Sequence, residues 1–418
     1  MADVQPLRAL HYDQAVAGPL QDLVAPPYDV IDPEQRAQLA GRSPHNAVRI
    51  DLPDGDDPYA NAAQLLEQWQ AEGAVVRDDT PAIWALTQDY TGPDGQAKTR
   101  RGFFARVRVE EYGPGRIRPH ERTHPGPKED RLRLTRATKA NLSPIFSLYS
   151  DPEGRAWSAL EPFTQTEPYG EATDEDGTHN RLWRIDDPDA IAAVQEATRD
   201  AELLIADGHH RYETARVYAD EIGGEGEHRY VLMNLVAMQD EGLTVFPTHR
   251  LVKDTTPETQ EALATTLRES FDISELGSTD ELPPALGDGP LELGYIDNHF
   301  QRPFRLTLKD QAIADEVLAD FPEPYRRLDT AVLEALLLKG PLGLTDDDID
   351  HQHGLTYSRT DAEAGRMVAD KEVDLAFFLR PNPVSQVQEI AATGVNMPPK
   401  STYFFPKVPT GLLFNPLT

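Results

Sequence analysis

The apolar positions of the chain follow two different periods. Alternating or continuous apolar runs predict strands at residues 47–52, 82–86, 102–109, 203–205, 230–238, 291–295 and 374–379. Apolar residues at helical spacing predict helices at 59–72, 255–267, 330–338 and 361–370. Because strands and helices mix in no strict order, we predict an α+β (mixed α/β) fold that contains a mixed sheet.

A domain boundary is predicted near residue 252. Thr256 and Pro257 form a helix start, with a capping residue followed by proline at the first helical position. We therefore expect an N-terminal α/β region over 1–252 and a C-terminal α+β region over 253–418. Residues 380–407 again concentrate Pro, Lys, Ser and Thr, so we expect the last segment to pack back toward the functional site.

The amino-acid composition excludes several kinds of functional site and binding partner. The 418 residues contain no cysteine, which excludes disulfides, thiolate metal sites and a thiol nucleophile. Forty Lys and Arg against 71 Asp and Glu give a net charge of −31. Such a chain is poorly suited to binding nucleic acid or an anionic membrane through a basic surface. The acidic residues are spread along the whole chain, so we expect a salt-adapted protein in which ions screen the repulsion between carboxylates.

The N-terminal residues show no targeting signal. Residues 1–10 lack a basic region followed by an apolar run, and no stretch approaches about 18 uncharged apolar residues. We expect a cytoplasmic protein.

The segment 201–221 predicts a strand, a tight turn and a helix. A helix that begins directly after a turn presents free backbone N–H groups, which form an anion site. Here the turn holds Asp207, Gly208, His209, His210 and Arg211. Gly208 permits close backbone approach, Arg211 suits bidentate phosphate binding, and the histidines suit proton transfer or anion contact. Asp207 is a candidate ligand for Mg²⁺; in the alternative interpretation it only caps the helix and the histidines are polar loop residues.

A second polar segment covers residues 116–144. His120, Glu121 and Thr123 lie on a loop bounded by prolines, and Glu121 is our candidate general base. Around them are the cations Arg116, Arg118, Arg122, Lys128, Arg131, Arg133, Arg136 and Lys139. An anionic small ligand would explain this cluster in so acidic a chain, with Lys128 and Arg131 as phosphate contacts and His120 and Thr123 as substrate contacts. Ordinary salt bridges to acidic surface remain the alternative.

Three shorter segments add candidates. Residues 26–31 form a rigid turn that offers Tyr28 and Asp29 as substrate contacts. Residues 247–252 offer His249 and Arg250 as phosphate contacts. Residues 397–407 offer Lys400 in a loop held by prolines, without the glycine-rich frame of a P-loop.

Taken in order, five of these segments resemble a known prokaryotic family, domain of unknown function 1015. They read VAPPYDVI, PHERTHPGPKEDRL, LIADGHHRYETA, PTHRLV and MPPKSTYFFPK, and the resemblance extends from about Leu7 to Leu413. The DGHHR turn is also similar to the phosphate-binding turn of the ParB/sulfiredoxin-like superfamily, which includes free-serine kinases. This resemblance implies a ParB/sulfiredoxin-like catalytic core, with residues 207–211 as the donor turn.

The resemblance implies a small-molecule phosphotransferase. The expected reaction converts free L-serine to O-phosphoserine with pyrophosphate or a nucleotide as donor, with Glu121 as base and His209 and His210 in catalytic positions. Mg²⁺ is the expected cofactor. The expected partners are a small phosphate donor and a small hydroxyl acceptor, without nucleic acid or membrane, in a possible homodimer. The alternatives are a nucleotide-binding regulator of ParB-like type without enzymatic activity, and a phosphatase or other hydrolase that uses the same pocket.

Overall fold

The computed structural model describes residues 2–92, 95–121, 123, 125–287 and 289–418. The chain divides into two compact units. The first unit contains Met1–Pro119, Thr123–Thr244 and Pro406–Thr418, and the second contains His120–Arg122 and Val245–Phe405.

The strands are short and distributed along the whole chain. In chain order they are β1 (Val4–Gln5), β2 (Leu10–Tyr12), β3 (Val75–Arg77), β4 (Ile83–Thr91), β5 (Ala97–Arg108), β6 (Ile117–Arg118), β7 (Ala140–Asn141), β8 (Ile145–Tyr149), β9 (Gly170–Thr173), β10 (His179–Ile185), β11 (Leu203–Asp207), β12 (Tyr230–Ala237), β13 (Thr244–Phe246), β14 (His249–Val252), β15 (Phe271–Glu275), β16 (Glu292–Asp297), β17 (Phe304–Leu308), β18 (Leu355–Ser358), β19 (Leu375–Phe378), β20 (Tyr403–Phe405) and β21 (Asn415–Pro416).

Helices of four to fourteen residues connect these strands. They are α1 (Gln14–Ala17), α2 (Leu20–Leu23), α3 (Pro33–Arg42), α4 (Val48–Asp51), α5 (Pro58–Ala71), α6 (Pro125–Thr138), α7 (Arg155–Leu160), α8 (Pro188–Thr198), α9 (His209–Ile222), α10 (Pro257–Ser270), α11 (Gln311–Val317), α12 (Glu323–Arg326), α13 (Asp329–Leu333), α14 (Asp346–His351), α15 (Asp361–Ala369) and α16 (Val384–Thr393). A π-helix at Glu334–Leu338 continues α13, and short 3₁₀ helices lie at Tyr28–Val30, Glu161–Gln165, Glu227–Arg229 and Thr279–Glu281.

A mixed sheet forms the centre of the first unit. Among the described residues it has nine strands in the order β6-β11-β8-β12-β5-β4-β10-β9, with β1 added beside β5. The β6–β11 and β8–β12 pairs are parallel, and the other pairs are antiparallel. One face packs a buried apolar cluster against α7, α8 and α9, including Ala156, Val194 and Tyr212. The other face includes the polar side chains of Gln88 and Arg100, which lie opposite each other on β4 and β5.

An antiparallel sheet forms the centre of the second unit. Six strands of the described chain run in the order β15-β17-β16-β19-β14-β18. Ala364 and Val368 of α15 pack against Leu251 and Ala376 of this sheet. α10 begins as the sequence predicts, because the Thr256 side chain accepts the Thr259 N–H and Thr259 returns a bond to the Thr256 backbone.

The predicted mixed α/β class with a mixed sheet is confirmed, and six of the seven predicted strands lie where expected. The predicted strand at 47–52 is wrong, because those residues form α4. The Asn46 side chain accepts the Val48 N–H and donates to the carbonyls of Asp22 and Val24, which fixes a helical turn. No helix in the described residues is long and apolar enough to cross a membrane.

Candidate functional site

The strand–turn–helix over residues 203–222 forms as predicted from the sequence. β11 ends at Asp207, Gly208 adopts φ +96°, and α9 begins at His209. A side chain at Gly208 would be strained by this left-handed backbone, and its Cβ would lie 3.0 Å from Nε of Arg211. Glycine therefore lets the Arg211 guanidinium lie against the turn at the start of α9.

Two cations hold the carboxylate of Asp207. Nη2 of Arg211 lies 2.8 Å from Oδ2, and Nζ of Lys407 lies 3.0 Å from Oδ1. Burial on its own would raise the pKa of Asp207, but the charges of Lys407 and Arg211 outweigh burial and hold the pKa below its usual range. Asp207 is therefore ionised and keeps both cations beside the start of α9.

The same contacts do not fit a Mg²⁺ ion bound by Asp207. Mg²⁺ takes oxygen ligands in near-octahedral geometry, and here each carboxylate oxygen already pairs with a fixed positive charge. The described residues also contain no group of three or more His, Asp or Glu side chains arranged to hold a metal. The candidate metal role of Asp207 therefore finds no support in its surroundings.

Arg211 is fixed by a second contact and by its neighbours. Its Nη1 donates to the carbonyl of Pro144, and the charges of Asp29 and Asp51 act on it. Burial raises the pKa of Tyr28 to about 12, although Arg211 opposes that rise. The structure thus brings Tyr28 and Asp29, two predicted substrate contacts, into the surroundings of the turn.

Arg131 belongs to the same group of residues. Its guanidinium stacks 4.2 Å from the Tyr28 ring centre, and its Nη1 donates to the backbone and side-chain oxygens of Asp51. Oδ2 of Asp51 accepts a hydrogen bond from Ser143. A cavity of about 40 Å³ is lined by Asp51, Arg131, Ser143, Arg211 and Thr214. Both predicted phosphate-binding arginines of the first unit therefore border one small cavity.

The second unit holds another set of predicted residues. His120 is fully buried; its Nε2 lies 2.8 Å from Oγ1 of Thr402, and its carbonyl accepts the Met397 N–H. Glu121 is half-buried, and its charge acts on Arg250 and Tyr357. His120 therefore connects the loop containing Glu121 by hydrogen bonds to the segment that begins at Met397.

His249 and Arg250 are engaged inside the second unit. Nδ1 of His249 accepts the Leu379 N–H, so the ring proton is on Nε2, which lies 2.7 Å from Oδ1 of Asp361. Arg250 donates to the carbonyls of Pro399 and Lys400, and burial lowers its pKa although Tyr357 opposes that change. Arg250 thereby supports the loop of Lys400, whose side chain is exposed and whose φ is +56°.

The predicted residues therefore fall into two groups. The first unit contains Tyr28, Asp29, Arg131 and residues 207–211, with His209 buried and His210 half-buried. Thr123 and Lys128 also belong to this unit, and both are half-buried. The second unit contains His120, Glu121, His249, Arg250 and Lys400. Arg122, a further member of the predicted cation cluster, lies outside the described residues.

Sequence reasoning missed Lys407 and Asp51. Lys407 stands in the MPPKSTYFFPK segment, in which only Lys400 is a predicted contact. Lysine is rare in this chain, with only nine lysines among the 40 cations. This rarity was the one signal in the sequence that could have pointed to Lys407. Asp51 gave no signal, because it lies at the end of an apolar run that predicts a strand.

Comparison with known protein families shows which family the chain belongs to. Residues 4–331 match the model described as "Protein of unknown function (DUF1015)". The chain belongs to this family. The match includes the Asp207 turn and Glu121, and it ends before Lys400 and Lys407. No curated protein matches this DUF1015 chain.

Several solved structures are similar to the DUF1015 chain. A conserved hypothetical protein from Pyrococcus furiosus is 15% identical, covering 71% of this chain and 90% of its own, with a TM-score of 0.36. A free serine kinase in complex with AMP is 14% identical, covering 69% and 83%, with a TM-score of 0.37. SbnI from Staphylococcus aureus, truncated at its C-terminus, is 12% identical, covering 72% and 82%, with a TM-score of 0.36.

Proposed function

We propose that this chain is a small-molecule phosphotransferase whose donor phosphates bind at the start of α9. The observation behind this proposal is the pairing of Asp207 with Arg211 and Lys407 beside Gly208. A helix N-terminus offers unpaired N–H groups and the positive end of the helix dipole to an anion. Two fixed cations next to it would neutralise the charge that develops during phosphoryl transfer.

The proposed acceptor is the hydroxyl group of free L-serine, and the proposed donor is pyrophosphate or a nucleotide. The serine oxygen bonds to the transferred phosphorus, the bridging P–O bond of the donor breaks, and phosphate or the shorter nucleotide leaves. Glu121 would take the hydroxyl proton, and His209 and His210 would contact the donor and protonate the leaving group. No step depends on a metal ion held by Asp207.

The remaining predicted residues enter the proposal in supporting positions. Arg131 and Lys128 would add positive charge for the donor, and Lys400 would do so from the loop that Arg250 supports. His249 and Arg250 stay proposed phosphate contacts. Tyr28, Asp29, His120 and Thr123 stay proposed acceptor contacts. The ParB/sulfiredoxin-like core and the homodimer also belong to the proposal.

The test is an incubation of purified protein with L-serine and pyrophosphate, ADP or ATP at high salt, with and without Mg²⁺. Phosphoserine and free phosphate are measured separately by ³¹P NMR. Phosphoserine in step with loss of the donor supports the proposal. Phosphate without phosphoserine identifies a hydrolase, and donor binding without either product identifies a regulator.

The variant Glu121→Gln tests whether Glu121 is the general base. Glu121→Gln should abolish transfer and leave the Kd of the donor unchanged, because the amide keeps the shape but cannot accept the proton. Glu153→Gln replaces an exposed carboxylate just before α7 and serves as the matched control. Equal turnover in both variants would remove Glu121 from the mechanism.

A further inference from the structure

Arg100 is a buried cation whose hydrogen bonds go to a neutral side chain. It lies in β5 with 1% of its surface exposed. Its Nε and Nη2 both donate to Oε1 of Gln88, and its Nη1 has no hydrogen-bond partner in the part of the chain that the structure describes. Burial lowers the pKa of Arg100 to about 10. A buried charge without an ion-pair partner costs several kcal/mol in desolvation, so Arg100 is difficult to explain as a stabilising residue.

Asn234 lies near Arg100 and, like Nη1 of Arg100, its side-chain nitrogen and oxygen have no hydrogen-bond partner among the described residues. It is fully buried in β12, and within the described residues neither Oδ1 nor Nδ2 makes a hydrogen bond. Asn234 stands opposite Phe146 of β8, and the Arg100 guanidinium lies 4.4 Å from the centre of the Phe146 ring. The two unsatisfied side chains therefore share Phe146 as a neighbour.

Gly102 keeps the backbone close to this pair. It lies two residues after Arg100 on the same face of β5. A Cβ at position 102 would stand 3.2 Å from Oδ1 of Asn234 and 2.7 Å from Cγ2 of Val236. A larger residue here would push against Val236 and Asn234, so glycine at this position leaves the Asn234 side chain undisturbed.

Arg100 and Asn234 lie beside the candidate site. Phe146 pairs in register with Asp207, and the charge of Asp207 acts on Arg100. Gln88, which holds Arg100, also donates through Nε2 to the carbonyl of Lys407. Lys407 therefore contacts both the residue that holds Arg100 and the carboxylate of the donor turn.

We propose that Arg100 and Asn234 bind the carboxylate of the acceptor, a small acid that also carries a hydroxyl group. Nη1 of Arg100 and Nδ2 of Asn234 supply two donors for the carboxylate oxygens, and Oδ1 of Asn234 accepts from an ammonium or hydroxyl group on the adjacent carbon. This inference rests on the proposed function and specifies its acceptor.

The experiment compares L-serine with serinol, in which CH₂OH replaces the carboxylate. Calorimetry gives the Kd of each compound for the wild type, Arg100→Gln and Arg101→Gln, the last being an exposed neighbour on the same strand. We expect the wild type to prefer L-serine by about 100-fold, because an unpaired buried polar group penalises the analogue. Arg100→Gln should lose this preference and Arg101→Gln should keep it, with the affinity for pyrophosphate unchanged in both.

Thermal unfolding separates binding from folding. Arg100→Gln removes a buried charge that has no ion-pair partner among the described residues, so its Tm should equal or exceed that of the wild type. Asn234→Asp places a carboxylate near Arg100, so it should raise Tm while abolishing L-serine binding. A lower Tm in both variants with the serine preference intact would assign Arg100 and Asn234 a structural role and overturn the inference.

The two proposals fail in different ways. If both alcohols are phosphorylated equally well, the phosphotransferase proposal stands and the carboxylate subsite is overturned. If no donor yields a product but L-serine binds in a manner that depends on Arg100, the subsite stands and the phosphotransferase proposal fails.

Discussion

Nζ of Lys407 lies 3.0 Å from Oδ1 of Asp207, although 200 positions separate these residues in the chain. The C-terminal segment of the first unit brings Lys407 there. Thr410 bridges to Ala25 and Phe414 to Leu10, both by backbone hydrogen bonds. The carboxylate of Asp207 therefore takes one of its two cations from the C-terminal part of the sequence.

Replacing Lys407 should weaken both folding and donor binding. Lys407→Met leaves one oxygen of the mostly buried Asp207 without its cation, which should cost about 3 kcal/mol of unfolding free energy. The Kd for pyrophosphate should rise about tenfold or more, because a charge-assisted contact is lost. Urea unfolding and calorimetry measure the two effects. Lys371→Met, at an exposed position, is the control; equal stability of the two variants would show that the ion pair contributes nothing.

Gly208 should tolerate alanine less well than an unconstrained glycine does. Gly208→Ala combines left-handed strain of about 1 kcal/mol with pressure on Arg211. Gly73 has φ +77°, and a Cβ added there would meet no atom of the described residues within 4 Å, so Gly73→Ala measures the strain alone. We expect the Gly208 variant to lose more stability in thermal unfolding and, unlike the Gly73 variant, to lose pyrophosphate affinity. Matching losses at both positions would mean that Arg211 accommodates the extra methyl group.

Local signals were sufficient to predict the strand, turn and helix over residues 203–222 from the sequence. The apolar run that ends at Asp207, the glycine and the helical period after it all act within a few residues of one another. The start of α10 was predictable for the same reason, since the Thr256 cap bonds to residues of its own first turn. The strand predicted at 47–52 was wrong because a short apolar run does not distinguish a strand from a buried helical turn, and Asn46 decides the outcome.

Tertiary partners account for the part of the site that the sequence could not predict. His249 has the residue type of an anion contact, yet its ring nitrogens meet Asp361 and the Leu379 backbone, both more than 100 residues away. Asp51 gains its place through Arg131, 80 residues later. No spacing rule connects such positions, so the sequence alone could not predict these contacts.

The thermal stability of the folded protein should depend strongly on salt concentration. At a net charge of −31, repulsion between carboxylates opposes the compact state, and screening at molar salt acts over about 3 Å. Lowering KCl from molar to millimolar concentration should reduce Tm by several degrees. Sucrose at matched osmolality is the control, because it stabilises by exclusion without screening charge. A Tm that does not change with KCl would remove the salt-adaptation hypothesis.

Asp174 should make stability fall between mildly acidic and neutral pH. Its Oδ1 accepts the N–H groups of Asp176 and Thr178, while burial, chiefly, raises its pKa to about 6. An unfolded aspartate has a pKa of about 3.9. Because the folded pKa is the higher one, the folded state binds the proton more tightly. The resulting stability is complete below about pH 4 and is lost as pH rises through about 6.

Asp174→Asn keeps the acceptor oxygen without the charge. Its free energy of unfolding should therefore exceed that of the wild type by about 1 kcal/mol at pH 8 and equal it at pH 4. Urea unfolding at several pH values tests this expectation, with the exposed Asp200→Asn as control; a difference that stays constant from pH 4 to pH 8 would contradict the assigned pKa shift.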